Sequence, residues 1–347
     1  MSIARLTEQV LDTERDRVFQ YAPIGGYAGD PELRRQLAAH HATEPERIFV
    51  TNGSLQALDL VAAHLVNPGD VVYAEAPTYD RAVQIFQRHG ARVVGVPLES
   101  DGLDTAELAR RLESEVPVLL YTIPDFQNPS GVTMNGSKRR ELLRLAAAYG
   151  FTVLEDTPYR ELRYTGTAPA SLAELDTSGQ VIAIGSLSKV LSPGLRIGYV
   201  IGDPALVRRL ADRAEGVYLS PAPLSQAIAV RCLAEDLLRS NVERVRQLMA
   251  PRLDAAVEAV RAQLGEVLVA VPEGGYYVTV HLPVKTGEAT FLAAARDAGV
   301  ALTRGSAFYP DGTAPPEGTL FLRLPFQAME PAEFTAGIGR LAALAAW

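Results

Sequence analysis

Val181-Ile182-Ala183-Ile184-Gly185-Ser186-Leu187-Ser188-Lys189 opens with four apolar residues and closes on two hydroxyls and a lysine. An apolar run without polar alternation reads as a strand buried on both faces, as in a parallel sheet covered by helices. Polar residues just beyond such a strand stand where open α/β sheets bind ligands. Arg196 follows within Ser192-Pro193-Gly194-Leu195-Arg196-Ile197-Gly198 and adds a planar fork of donors suited to phosphate, as the hydroxyls of Ser186 and Ser188 are. Taken alone, Lys189 reads equally as a surface lysine in a serine-rich turn. With its amine deprotonated, it can also form an imine with an aldehyde cofactor.

The same strand-then-polar-loop pattern extends in both directions. Ile48–Val50, Val71–Glu75, Ala91–Val96, Val118–Thr122 and Phe151–Glu155 read as strands, with helical spacing at Ser54–Leu65, Tyr79–His89 and Lys138–Tyr149 between them. Arg196–Ile201 reads as an antiparallel neighbour. This alternation predicts an α/β fold, a three-layer arrangement around a mostly parallel sheet. Residues 3–19 have helical spacing, and a glycine- and proline-rich loop runs from Tyr21 to Pro31. Beyond Leu224 the character changes. A helical region Ser225–Leu264, expected to break near Pro251, precedes a strand Tyr276–Leu282, a helix Ala289–Ala298, a strand Leu320–Leu324 and a helix Pro331–Ala346. This predicts a smaller α+β unit. The expected division is 1–20 (an N-terminal helix packing with the small domain), 21–250 (the large domain) and 251–347 (the small domain).

Composition excludes several function classes. The chain has 33 Lys+Arg against 41 Asp+Glu, a net charge of −8, and no basic run, so it does not look built for a nucleic-acid backbone. The one cysteine, Cys232, can make no internal disulfide and reads as a small buried hydrophobe. No Cys/His cluster has metal-ligand spacing. No apolar stretch approaches the roughly 18 residues of a membrane span, and residues 1–12 lack a signal core, so a cytoplasmic protein is expected.

Four more loops after strands carry candidate chemistry. Asp156, in Leu154-Glu155-Asp156-Thr157-Pro158-Tyr159, can hold a pyridinium nitrogen protonated, or can simply cap a turn. Asn128, in Pro124-Asp125-Phe126-Gln127-Asn128-Pro129-Ser130-Gly131, can donate to a phenolic oxygen, or mark a turn. Thr51-Asn52-Gly53-Ser54 opens a helix whose first N–H groups suit an anion, although Ser54 can also be an N-cap. Tyr79, in Pro77-Thr78-Tyr79, can lay a ring over a planar ligand. Singly, each bland reading wins. Together these loops offer the separate parts of one phosphate-plus-pyridine site.

With these segments in order, the chain resembles the fold-type I pyridoxal-phosphate enzymes of the aspartate aminotransferase superfamily. It is most similar to the 2-aminoadipate and kynurenine aminotransferases and to the effector domain of MocR-type regulators. Further segments carrying the resemblance are Phe19-Gln20-Tyr21-Ala22-Pro23, Leu55-Gln56-Ala57-Leu58-Asp59-Leu60, Gly305-Ser306-Ala307-Phe308 and Leu322-Arg323-Leu324. The resemblance implies pyridoxal 5'-phosphate held by Lys189 as a Schiff base, the same lysine later moving the proton. It implies Asp156 on the pyridine nitrogen, Asn128 and Tyr159 on the phenolic oxygen, and Tyr79 stacked on the ring. Ser54, the backbone of Gly53 and Leu55, Ser186, Ser188 and Arg196 would bind phosphate. Tyr21 would reach the phosphate of a second subunit, because the family's active sites lie at a homodimer interface. Arg323 would bind the substrate α-carboxylate.

Departures from the family pattern cluster on the substrate side. A Gly-Gly-x-Pro segment usual before the first helix has no counterpart. Arg323-Leu324-Pro325-Phe326-Gln327, Thr303-Arg304-Gly305-Ser306 and Gly274-Gly275-Tyr276-Tyr277 all differ from the usual residues, the last carrying tyrosines where smaller or apolar residues are common. Arg304 reads as a second anion site or as a solvated rim arginine. The expected function is amino-group transfer from an amino acid to a 2-oxo acid. Two alternatives stay open: β- or γ-replacement, cyclisation or oxidation in specialised biosynthesis, and a non-catalytic cofactor-binding sensor. The sensor ranks last because no basic winged-helix region is found.

Overall fold

The computed structural model describes residues 2–22 and 26–345. Met1, Pro23 of the expected tyrosine segment, and Ala346, the expected end of the last helix, lie outside the described residues.

Among the described residues eight strands form one sheet: β1 (Ile48–Thr51), β2 (Val71–Ala76), β3 (Arg92–Glu99), β4 (Gly102–Leu103), β5 (Leu119–Thr122), β6 (Thr152–Asp156), β7 (Val181–Ser186) and β8 (Gly198–Ile201). Their spatial order is β1-β8-β7-β6-β5-β2-β3-β4. The centre, from β3 through β2, β5 and β6 to β7, is parallel; β8 runs antiparallel to both β7 and β1. Alternate residues face opposite layers, as strand geometry requires. Ala74, Tyr121, Leu154, Ile182 and Ile184 pack with helices Ser54–Leu65, Asp80–Arg88 and Pro204–Tyr218. Tyr73, Leu120, Val153 and Val181 pack with helices Thr105–Leu112 and Gly136–Tyr149. The fold is the expected three-layer α/β arrangement.

β9 (Tyr277–Pro283) and β10 (Thr319–Pro325) pair antiparallel in a sheet of their own. Val278, Val280, Leu320 and Leu322 pack there against Leu253, Ala256 and Val260 of helix Leu237–Leu264 and against the final helix Pro331–Ala345. The other end of the long helix, at Leu238 and Val242, packs instead with the N-terminal helix residues Leu6 and Val10.

Three expectations need correction. The helical stretch over residues 3–19 is two helices, Ile3–Thr13 and Arg15–Val18, parted at Glu14, whose carboxylate pairs with Arg17 and Arg231. The region after Leu224 breaks at Asp236, which adopts a left-handed φ of 54°, between helices Pro223–Ala234 and Leu237–Leu264. It does not break at Pro251. Pro251 gives up one helical N–H, but Met249 and Leu253 on either side are buried, and that packing carries the helix through. Ser54 is not an N-cap: Gly53 holds that position at φ 93°, and Ser54 makes no capping bond. No helix is long and apolar enough to cross a membrane among the described residues.

Candidate active site

The carboxyl ends of β1, β6 and β7 and the start of β8 bring the loops together. Thr51 ends β1, and its hydroxyl donates to the Gly53 carbonyl at 3.0 Å. Gly53 then turns into helix Ser54–Leu65. The N–H groups of Gln56 and Ala57 bond back to Gly53, while those of Ser54 and Leu55 point out of the helix start as orphan donors do. Arg196 is itself left-handed, at φ 53° and ψ 44°, and this conformation lays its guanidinium against Gly53. A Cβ at residue 53 would stand 2.2 Å from Arg196 Nη2, and one at Gly198 would stand 2.3 Å from Ser54 N. Both glycines are therefore required by close approach, not only by turn geometry. Ser186 ends β7, and its Oγ accepts from the Ser188 N–H at 3.2 Å. Orphan N–H groups, hydroxyls and a guanidinium thus form a cradle for an anion.

The other end of the site is set by Asp156, the last residue of β6. The register pairs Tyr121 of β5 with Leu154, so the Tyr121 phenol reaches forward and donates to Asp156 Oδ2 at 2.7 Å. Oδ1 of the same carboxylate is buried and has no partner. A buried carboxylate oxygen left unpaired is costly, and such a group calls for a donor from outside the chain. Burial pushes the Asp156 carboxyl up to about 6, against the Tyr121 hydrogen bond, which lowers it. Asp156 is not a turn cap, because the Thr157 N–H and hydroxyl both go to the Ile184 carbonyl.

Tyr79 is half-buried at the start of helix Asp80–Arg88 and makes no capping bond. Burial raises its phenol, and the nearby Asp156 charge adds to that. Asn128 Oδ1 accepts from Arg323 Nη1 at 2.9 Å. The Arg323 guanidinium lies between two rings, 4.5 Å from that of Tyr277 and 4.7 Å from that of Phe308. Tyr159 is buried, with Tyr276 and Tyr277 edge-on at 6.0 and 6.1 Å. Lys189 is half-buried, and its carbonyl accepts from the Tyr276 hydroxyl at 3.1 Å.

Two expected residues stand apart. Tyr21 is 85% exposed. Arg304 is on the surface, its Nε 3.6 Å from Glu288 Oε2, with no bond to Arg323 or Asn128. Sequence reasoning also missed a supporting layer. Gln127 is buried and donates to Glu75 Oε2 (2.9 Å) and the Pro77 carbonyl (2.7 Å), while its Oε1 accepts from Ser130 N (2.8 Å) and Oγ (2.7 Å). It ties the loop of Asn128 to the loop of Tyr79. Its only signal was its place beside Asn128. No group of three or more His, Cys, Asp or Glu residues that could hold a metal ion occurs among the described residues.

The family description "Aminotransferase class I and II" matches residues 6–341. The chain belongs to that family. The aromatic-amino-acid aminotransferase 1 of Thermococcus litoralis is 34% identical to this aminotransferase, over 98% of the chain and 83% of the relative. The α-aminoadipate aminotransferase LysN of Thermus thermophilus, solved with N-(5'-phosphopyridoxyl)-L-leucine, superposes with a TM-score of 0.92. It is 31% identical, covering 99% of this chain and 86% of that one. An uncharacterised HTH-type transcriptional regulator of Bacillus subtilis is 31% identical over 84% of this chain and 62% of its own length. The aminotransferase is thus a pyridoxal 5'-phosphate enzyme of the aspartate aminotransferase-like fold that transfers amino groups. The orphaned Asp156 Oδ1 and the anion cradle at Gly53 and Arg196 fit the two ends of that cofactor.

Proposed function

We propose that this aminotransferase moves the amino group of an α-amino acid to a 2-oxo acid, with Lys189 as the cofactor's covalent anchor and the group that moves the proton. The observation that carries this reading is the unpaired, buried Oδ1 of Asp156 at the end of β6, beside the strand β7 that leads into Ser186, Ser188 and Lys189. When bound, pyridoxal 5'-phosphate supplies an aldehyde that condenses with amines and a ring that accepts the electron pair left by a departing Cα proton. In this reading Asp156 Oδ1 accepts from the ring N–H, and its negative charge keeps that nitrogen protonated. Ser54, the N–H groups at Gly53 and Leu55, Ser186, Ser188 and Arg196 hold the phosphate. Tyr79 covers the ring, and Asn128 and Tyr159 donate to the phenolic oxygen. Arg323, already pinned by Asn128, presents its remaining N–H groups to the substrate α-carboxylate. The ε-amine of Lys189 would be the base that takes up the substrate Cα proton and holds it for return.

We also infer a homodimer. Phe19, Tyr21 and Leu219 are exposed and line one groove, with Val217 exposed beside it. A chain does not ordinarily leave so many large apolar side chains open together. Tyr21 would contact the phosphate of the second subunit there. For the domain division we keep 1–20, 21–250 and 251–347, with one change: the N-terminal helix packs on Ala227, Cys232, Leu238 and Val242 of the large unit, not on the small domain as expected. A second-anion role for Arg304 would require it to leave Glu288; an unchanged KM in Arg304→Ala would discard it.

The deciding experiment is a half-reaction. Purified enzyme is mixed with single amino donors, beginning with aromatic amino acids, leucine and 2-aminoadipate. A productive donor should convert the bound cofactor to its amine form and release one 2-oxo acid per site. Release of ammonia or of a side-chain leaving group instead would replace transamination by elimination or replacement chemistry.

A further inference from the structure

The short tract Gly274-Gly275-Tyr276 touches three loops of the site at once. A Cβ at Gly274 would lie 2.2 Å from the Leu162 carbonyl and 2.6 Å from the Phe126 ring, and one at Gly275 would lie 2.6 Å from Phe126 Cβ. Gly275 N also donates to the Leu162 carbonyl at 2.9 Å, and its carbonyl accepts from the Tyr164 hydroxyl at 2.6 Å. The tract is therefore pressed onto the segments that lead into Asn128 and out of Tyr159. From this fixed base the Tyr276 phenol reaches the Lys189 carbonyl at 3.1 Å. One residue further along the lysine loop, Asn241 Nδ2 donates to the Val190 carbonyl at 2.7 Å from helix Leu237–Leu264.

We propose that Tyr276 and Asn241 are positioning residues for Lys189. They hold two consecutive carbonyls of the lysine loop, one from the residue just before β9 and one from the long helix, and so set where the ε-amine stands. The loop's other backbone bonds are local: Leu187 N to Ile197 O, then Leu191 N and Ser192 N to Leu187 O. None of them restrains the 189 or 190 carbonyl. Burial pushes the Tyr276 phenol up to about 12, so it stays a donor at neutral pH. Both side chains bond to backbone carbonyls of the loop rather than to the ε-amine. Their effect is on proton transfer by a correctly aimed amine, a step in which a misplacement of about 1 Å can cost about a hundredfold.

This inference rests on the reading of Lys189 as anchor and proton carrier, and the two are separable. Borohydride reduction and peptide mapping of the wild-type holoenzyme locate the anchor; a label on another lysine removes that reading by itself. Tyr276→Phe keeps the ring and deletes the donor, while Asn241→Ala cuts the neighbouring bond without altering the second sheet. In the apoenzyme of each variant, amide exchange over residues 187–192 should quicken while other segments keep wild-type rates. In the holoenzyme, kcat should fall about tenfold with KM changed less than about twofold, and the isotope effect with a Cα-deuterated donor should rise. Wild-type local exchange and an unchanged isotope effect in both variants would overturn the proposal. So would loosening spread over the whole chain with no excess at 187–192.

Discussion

Arg323 of β10 donates to Asn128, the residue that follows Gln127 beyond β5, through an Nη1–Oδ1 bond of 2.9 Å that joins the second sheet to the first. Tyr277 and Phe308 cover the faces of the guanidinium, so only its in-plane N–H groups remain for a ligand. A lysine there would lose the planar fork, the bond to Asn128 and the stacking together. Arg323→Lys is expected to raise KM for the amino donor by about a hundredfold while changing kcat far less. Steady-state kinetics in both substrates tests this. A fall confined to kcat would mean that Arg323 does not bind substrate.

Asp156 makes a second prediction. Its Oδ1 has no partner in the chain, and an amide at that position cannot hold a ring nitrogen protonated. Asp156→Asn should lower kcat by about 10²–10³-fold, the scale seen when one preorganised hydrogen-bonding group is removed from an active site. Pyridoxal phosphate should still bind, because the anion cradle is untouched. A variant with near-native turnover would remove Asp156 from the mechanism.

Glu75 predicts a pH dependence. It is fully buried, and burial pushes it up to about 7, against bonds from Thr122, Gln127 and Ile123 that lower it. The folded protein therefore keeps a proton between about pH 4.5 and 7 that the unfolded chain has already lost. Raising pH through that window weakens folding. Gln at this position has no proton to lose. The stability of apo Glu75→Gln relative to wild type should thus increase from pH 5 to pH 8 by on the order of 2 kcal/mol. Urea melts at the two pH values measure it, and a flat or opposite difference would contradict the assignment.

Gly53→Ala places a methyl where the Arg196 guanidinium now lies, in a backbone conformation of φ 93° that disfavours any side chain. Helix Ser54–Leu65 buries Ala57, Leu58, Leu60, Val61 and Ala62 against the sheet and should survive. Cofactor affinity should drop about 10- to 100-fold, the effect of a lost charge-assisted phosphate contact. Absorbance titration of the apoenzyme gives the number directly. Unaltered affinity would place the phosphate elsewhere.

The exposed pair Val217 and Leu219 tests assembly. Val217→Asp combined with Leu219→Asp should shift sedimentation to the mass of one chain, since a charged residue within an apolar interface costs several kcal/mol. If the wild type itself sediments as a single chain, the dimer reading ends there.

Much of the first sheet was readable because its strands are apolar runs bounded by polar loops, and Ser54–Leu65 has the ends its spacing predicts. Helices Pro31–His40 and Pro204–Tyr218 each begin at Asp-Pro, with the aspartate capping the first turn and proline at N1. That signal was local and available. The Tyr121–Asp156 bond was not, because it depends on β5 and β6 lying side by side in one register. The same holds for Gln127, Glu75 and Tyr276, whose partners come from distant segments. Pro251 would break an isolated helix, but this one is packed at both ends, and that contact lies outside any local sequence signal.

β9 and β10 pair with each other and pack on a core of their own, while Ser54, Asp156 and Lys189 hang from the first sheet. That separation bears on descent and on design. Mutations around Tyr277 and Phe308 can accumulate without disturbing the strands beneath the phosphate cradle. A lineage built this way can vary the donor side while the anion cradle at Gly53 and Arg196 is kept. A library meant to redirect this enzyme belongs at those positions, with Gly53, Gly198 and the lysine loop left as they are.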